Sequence, residues 1–153
     1  MQYLNNPELL MKLLSQLSEG MLTSLSIFFC TLLFSLPLGL LIALGRMSKR
    51  KWLSAPVSFY ILIMRGTPLM LQLLAWYFGP FYLFGWNIGG YRFTAIILGF
   101  VFNYAAYFAE IYRSGIEAIP KGQYEAATVL GYTKSQTFIK IILPQVIKII
   151  LPA

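Results

Sequence analysis

The chain contains no histidine, and its five acidic residues are all glutamates, so aspartate is absent as well. A zinc or di-iron centre needs several His, Cys or carboxylate ligands converging. An intramembrane aspartyl protease needs paired Asp, and a Ser-His-Asp triad would lack both its base and its orienting group. The inventory therefore argues against metal, cofactor and hydrolytic chemistry in this chain. No GxxxxGK[ST] loop occurs, so ATP chemistry would have to come from another subunit. The single cysteine, Cys30, lies in an apolar run and reads as a small hydrophobe, and one cysteine cannot form a disulfide within the chain. Charge is also scarce, at 11% of 153 residues, against about 25% in soluble domains. Internal repeats and low-complexity stretches are missing.

What the chain has instead is apolar surface: 58% of its residues are hydrophobic and its mean hydropathy is +0.70. Runs this long cannot be hidden inside 17.4 kDa, so the bilayer is the solvent for much of the surface. Residues Met21 to Leu44 carry no charge, and at about 1.5 Å per residue they reach roughly 36 Å, enough for a hydrocarbon core of about 30 Å. This is the first expected span, with Pro37 and Gly39 inside it. Glu19 precedes it and Arg46, Lys49, Arg50 and Lys51 follow it, the reverse of a cleaved signal peptide. The stretch Trp52 to Met64, interrupted by Pro56, reads as an interfacial helix. A second span is expected from Thr67 and Pro68 to about Phe84, a turn over Gly85 to Arg92, a third span from Phe93 to about Tyr112, and a fourth starting near Ile141 and cut off at Ala153.

Lys and Arg accumulate on the cytoplasmic side of membrane proteins. Arg46, Lys49, Arg50, Lys51, Arg65, Arg113, Lys121, Lys134 and Lys140 fall on one side of this layout; Lys12 and Arg92 fall on the other, and Lys148 lies within the last apolar segment. The N-terminus is then outside and the loop 113–140 cytoplasmic. The formal charge of +7 is explained by these loops rather than by nucleic acid.

That loop has internal punctuation. Pro120 and Lys121 open a short helix containing Glu125, Ala126 and Ala127, Gly131 ends it where a left-handed cap is wanted, and Thr133 with Gln136 forms a capping-box pattern for a second helix leading to Pro144. Helices shorter than about 12 residues are marginal alone in water, so the first should dock against something. Glu125 offers a charge, the two alanines close approach, and Tyr124, Val129 and Leu130 apolar area for a partner's groove; equally, from the residues alone, the helix reads as an ordinary amphipathic loop helix packed on its own bundle.

The string EAATVLG at 125–131, nine residues, then Ile141, Leu143 and Pro144 resembles the EAA signature of permease subunits of bacterial ABC importers. RGTPL at 65–69 with Gln72, the aromatic run from Trp76 to Phe81, the block AAYFAEIYRSGIEAIPKGQYEAA at 105–127 and the PQ at 144–145 are similar to the polar amino acid subgroup. The resemblance covers roughly residues 15–153. It implies an all-α polytopic helical bundle of the MetI-like permease type, forming one permease domain over 1–153. Five spans with the N-terminus outside are expected, about four of them present here, with the chain ending inside the fourth as a truncation or fragment.

By the same resemblance, the segment bearing Glu125, Ala126, Ala127 and Gly131 is a coupling helix for an ATPase subunit that binds the ATP. The implied partners are that ATPase, an extracytoplasmic amino-acid-binding protein and a second permease subunit, homologous or identical, in the bacterial cell membrane. The implied function is ATP-driven uptake of polar amino acids. The alternative is a transport-incompetent remnant that only binds the ATPase. Thr67, Gln72, Asn103 and Glu110 are the polar groups in or beside the spans and so the candidates for lining a pathway. Two of them also have a structural reading: Asn103 as a helix–helix hydrogen bond, Glu110 as the partner of Arg113. Arg65 reads as a topology and headgroup anchor.

Overall fold

The computed structural model describes residues 7–87 and 89–152; Ile88, in the expected turn, and Ala153, at the end of the expected fourth span, lie outside the described residues. Among the described residues there are seven α-helices and one π-helical turn: α1 (Pro7–Arg46), α2 (Lys51–Gly66), α3 (Leu69–Phe84), α4 (Arg92–Glu117), α5 (Lys121–Val129), α6 (Lys134–Thr137), the π turn (Phe138–Ile142) and α7 (Leu143–Ile150). Among the described residues there is no strand.

The first helix is 40 residues long, about 60 Å, and extends well before the uncharged run, which fills its C-terminal part. It continues unbroken through Pro37. Helices α1 and α4 are each long and apolar enough to cross a membrane; α2 and α3 qualify only as a pair, bent by 110° at their junction. The bend follows from Pro68, whose ring disfavours helical geometry at the residue before it. Thr67 is accordingly extended (φ −115°, ψ 146°), and Pro68 caps α3. The expected fourth segment is helical from residue 134 to 150, about 25 Å, short of a full crossing by itself.

The π turn was not foreseen from the sequence, but its cause is local. Pro144 has no N–H, and its ring would press on the carbonyl four residues earlier, at Lys140. Widening the helix over Phe138–Ile142 relieves both problems. Gln145 Nε2 then donates to the Ile141 carbonyl at 2.9 Å, satisfying an acceptor in the widened turn.

Helix α4 is the axis of the molecule. Its inward face is made of small residues, including Ala95, Gly99, Ala105, Ala106, Ala109 and Gly115, all buried, which lets neighbouring backbones come close, as in membrane helix pairs generally. A Cβ on Gly39 of α1 would sit 2.7 Å from Phe108 Cβ and 3.1 Å from the Ala105 carbonyl. One on Gly115 would collide with Ile150 Cγ2, so α7 crosses α4 there. Two clusters form the core: Ala43, Ile61, Ala106 and Ala109 join α1, α2 and α4, while Ile116, Ile119, Ile142 and Val146 join the end of α4 to the π turn and α7. Much of the remaining surface is exposed Leu, Phe, Met and Ile, which in a chain of this composition is the face turned to lipid.

Candidate functional site: coupling segment and polar clusters

Helix α5 follows a buried anchor, Ile119, and is capped by Pro120. Its far end is a Schellman motif. The Tyr132 N–H donates to the Ala127 carbonyl and the Gly131 N–H to the Thr128 carbonyl, both at 3.0 Å, and Gly131 takes φ +79°, a conformation that glycine alone enters freely. The next helix starts at once. Gln136 N–H donates to Thr133 Oγ1 at 3.3 Å, and the Thr133 N–H donates to Gln136 Oε1 at 3.0 Å, completing the capping box.

These two devices end α5 and start the next helix at once, and α5 itself has two distinct faces. Ala127 faces inward and is 1% exposed, and Tyr124 packs on the cluster around Ile142 and Val146. Glu125 and Ala126 face out, and at the tip Val129 is 87% and Leu130 72% exposed. Of the two alanines that the sequence offered for close approach by a partner, only Ala126 is on the open face; Ala127 seats the helix on its own bundle. Glu125 makes no ion pair among the described residues.

Three of the four pathway candidates meet at the α2–α3 bend. Gln72 Nε2 donates to Thr67 Oγ1 at 2.7 Å and reaches the carbonyls of Met64 at 3.0 Å and Thr67 at 3.2 Å. Asn103 Nδ2, on α4, donates to the same Met64 carbonyl and to Gln72 Oε1, each at 3.0 Å. Thr67 Oγ1 in turn donates to the Ile63 carbonyl at 2.8 Å. Both amides are buried. Breaking a helix frees carbonyls that lipid cannot satisfy, and here two side-chain amides supply the donors. The polar atoms of Thr67, Gln72 and Asn103 are thus directed at one another and at the bend.

Glu110 belongs to a second cluster. Arg113 Nε and Nη2 donate to Glu110 Oε2 at 3.1 and 2.7 Å, and Arg113 Nη1 donates to Glu117 Oε2 at 2.6 Å. Arg46, from the end of α1, and Arg65, from the end of α2, approach Glu110 at 3.9 and 3.8 Å. Three arginines that the charge count assigned to one membrane face therefore converge at one end of the bundle. The Arg113 pairing was legible from its three-residue spacing on a helix; the approach of Arg46 and Arg65 was not, since it depends on how α1 and α2 pack on α4. A cavity of about 450 Å³ opens beside this cluster, lined by Ser58, Leu62 and Tyr107 together with Arg46, Arg65 and Glu110.

Comparison with known proteins gives this arrangement a family. The chain is 41% identical over 151 residues to a probable amino-acid ABC transporter permease protein, YckA, of Bacillus subtilis, covering 99% of this chain and 66% of that protein. It is 41% identical over 138 residues to a putative glutamine transport system permease protein, GlnP, of Rickettsia bellii, covering 88% and 61%. Against the L-cystine transport system permease protein TcyB of Bacillus subtilis the figures are 37%, 89% and 57%. The chain thus spans less than two thirds of the length of these relatives. A solved structure described as an amino acid ABC transporter with histidines superposes with a TM-score of 0.73 at 41% identity, over 91% of this chain and 66% of that one. Residues 35–153, from the middle of α1 through α7, match the family described as binding-protein-dependent transport system inner membrane component, and the chain belongs to that family.

Proposed function

We propose that the chain is the membrane-embedded permease part of an ATP-driven importer of polar amino acids, and that the segment 113–140 is its cytoplasmic coupling unit. The observation that carries this reading is α5: a nine-residue helix, closed at its far end by the Schellman motif, that presents Glu125, Ala126, Val129 and Leu130 outward. An apolar tip flanked by one carboxylate suits insertion into a groove on a partner. That partner is the ATPase subunit, which binds and hydrolyses ATP; the permease itself is not an enzyme and holds no cofactor.

Movement of the ATPase reaches the spans through the contacts of α5 and of the helix capped by Thr133. The cluster of Ile116, Ile119, Ile142 and Val146 joins that helix to α4, so a push on α5 is felt by the central helix. Swinging a two-state pore from 1:99 to 99:1 takes about 5.5 kcal/mol of differential binding, which ATP-driven closure of the partner supplies. A second permease subunit completes the pore, and an extracytoplasmic binding protein delivers the amino acid. The relatives are named for glutamine and cystine transport, which fits a permease body shared by several cargoes, with selection resting largely on the binding protein.

The test is co-purification with a P-loop ATPase followed by substrate-stimulated ATP hydrolysis in liposomes. Glu125→Lys is expected to abolish stimulation while the protein still inserts in the membrane. Stimulation at the wild-type level in that variant would refute the docking role.

A further inference from the structure

The arginine cluster carries more positive charge than its glutamates neutralise. Glu110 and Glu117 both hydrogen-bond to Arg113, whereas Arg46 and Arg65 reach Glu110 only at 3.9 and 3.8 Å, beyond hydrogen-bond length. Lys49, Arg50 and Lys51 stand in and beside the adjoining turn between α1 and α2. Arg46 donates to Ser58 Oγ, which fixes its guanidinium at the wall of the cavity of about 450 Å³. Arg65 makes no side-chain hydrogen bond among the described residues, and it lies over the Tyr107 ring at 5.3 Å, a contact that orients its plane and leaves its donors unused. Two oriented guanidiniums with spare donors on one cavity are suited to bind a phosphate.

The surroundings select the source of that phosphate. Helix α2 exposes Trp52, Phe59 and Leu62, which at spacings of seven and three residues share one face, and Leu62 also lines the cavity. The basic pocket therefore continues into an apolar strip, as a phospholipid continues from phosphate to acyl chain. Basic pockets between helices at the cytoplasmic surface are where anionic headgroups gather. We infer that this cavity is a binding site for an anionic phospholipid of the cytoplasmic leaflet, with Arg65 and Arg46 donating to its phosphate and Phe59 and Leu62 carrying an acyl chain. Glu110 competes with the phosphate for both guanidiniums.

The inference rests on the membrane orientation of the chain and not on its transport role, so its failure would leave the importer reading untouched. The test is native mass spectrometry of the full chain released from mixed micelles containing phosphatidylglycerol or phosphatidylcholine. The wild type should retain phosphatidylglycerol preferentially. Arg46→Gln and Arg65→Gln should each weaken that retention about fivefold, the equivalent of about 1 kcal/mol for one basic group at an anionic surface. Lys12→Gln, at the other end of the molecule, should leave it unchanged, and Glu110→Gln should strengthen it. If the glutamine variants do not fold, Arg46→Lys and Arg65→Lys keep the charge and lose the fork, and a two- to threefold loss is then expected. Equal retention of the two lipids by the wild type, or undiminished phosphatidylglycerol in the arginine variants, would overturn the site. Displacement of the lipid by millimolar inorganic phosphate would make it a site for the free anion and overturn the lipid assignment.

Discussion

Asn103 and Gln72 make a quantitative test of the bend, because their contacts can be removed separately and together. Asn103→Leu keeps the branched shape, with a somewhat larger volume, but deletes the donor to the Met64 carbonyl and to Gln72 Oε1. The Met64 carbonyl still accepts from Gln72 Nε2, so the net loss is one orphaned amide oxygen. Leaving a buried acceptor unpaired costs about 1–3 kcal/mol, while hydrogen bonds between membrane helices average only about 0.6 kcal/mol with a maximum near 1.7. A destabilisation of about 1–1.5 kcal/mol is the expected result. Gln72→Leu removes three donor contacts and should cost about 2 kcal/mol. In the double variant the orphaned Gln72 oxygen is gone, but the Met64 carbonyl, which keeps one donor in each single variant, loses both; the two changes oppose each other, so the total should lie within about 1 kcal/mol of the sum. Equilibrium unfolding by sodium dodecyl sulfate in mild-detergent micelles, followed by far-UV circular dichroism, measures all three. A cost below about 0.3 kcal/mol for either single variant would refute the claim that the two amides clamp the bend.

Further consequences follow from packing and caps. Gly39→Ala should cost about 1–3 kcal/mol, because the new methyl meets Phe108 Cβ and the Ala105 carbonyl, neither of which can swing aside. Gly20→Ala on the same helix meets nothing within 4 Å and should be neutral or stabilising by up to about 1 kcal/mol; the same unfolding titration distinguishes the two. Thr133→Ala removes the capping-box acceptor at a cost of about 1 kcal/mol, and hydrogen exchange at Gln136 should rise accordingly. Gly131→Pro cannot adopt φ +79° and should abolish ATPase stimulation with membrane insertion intact, measured in the liposome assay.

What the sequence made legible was mainly local. Gly131, Thr133 and Gln136 announce their roles by type and spacing because a left-handed cap and a capping box involve only neighbours in the chain. Pro68 marks the start of α3 for the same reason. The π turn was less visible, since a proline tells of strain in the preceding turn but not whether the helix kinks, breaks or widens. Thr67, Gln72 and Asn103 were recognised as polar groups in apolar surroundings, yet their mutual bonding is tertiary: residues 72 and 103 meet only because α3 packs on α4 near the bend. Ala126 and Ala127 look interchangeable in the sequence, and only the seating of α5 on the bundle separates the exposed one from the buried one. Arg46 and Arg65 are spread over helices whose packing decides that they converge on Glu110.

The proposed function depends most on the outer face of α5 lying on the cytoplasmic side, available to an ATPase. In a Cys30→Ser background, Val129→Cys places a thiol on the most exposed part of that segment, and a membrane-impermeant maleimide applied to inside-out and right-side-out vesicles reads its position. Labelling is expected in inside-out vesicles alone, suppressed when the ATPase subunit is bound. Labelling from the outer face, or undiminished labelling with the ATPase bound, would contradict it.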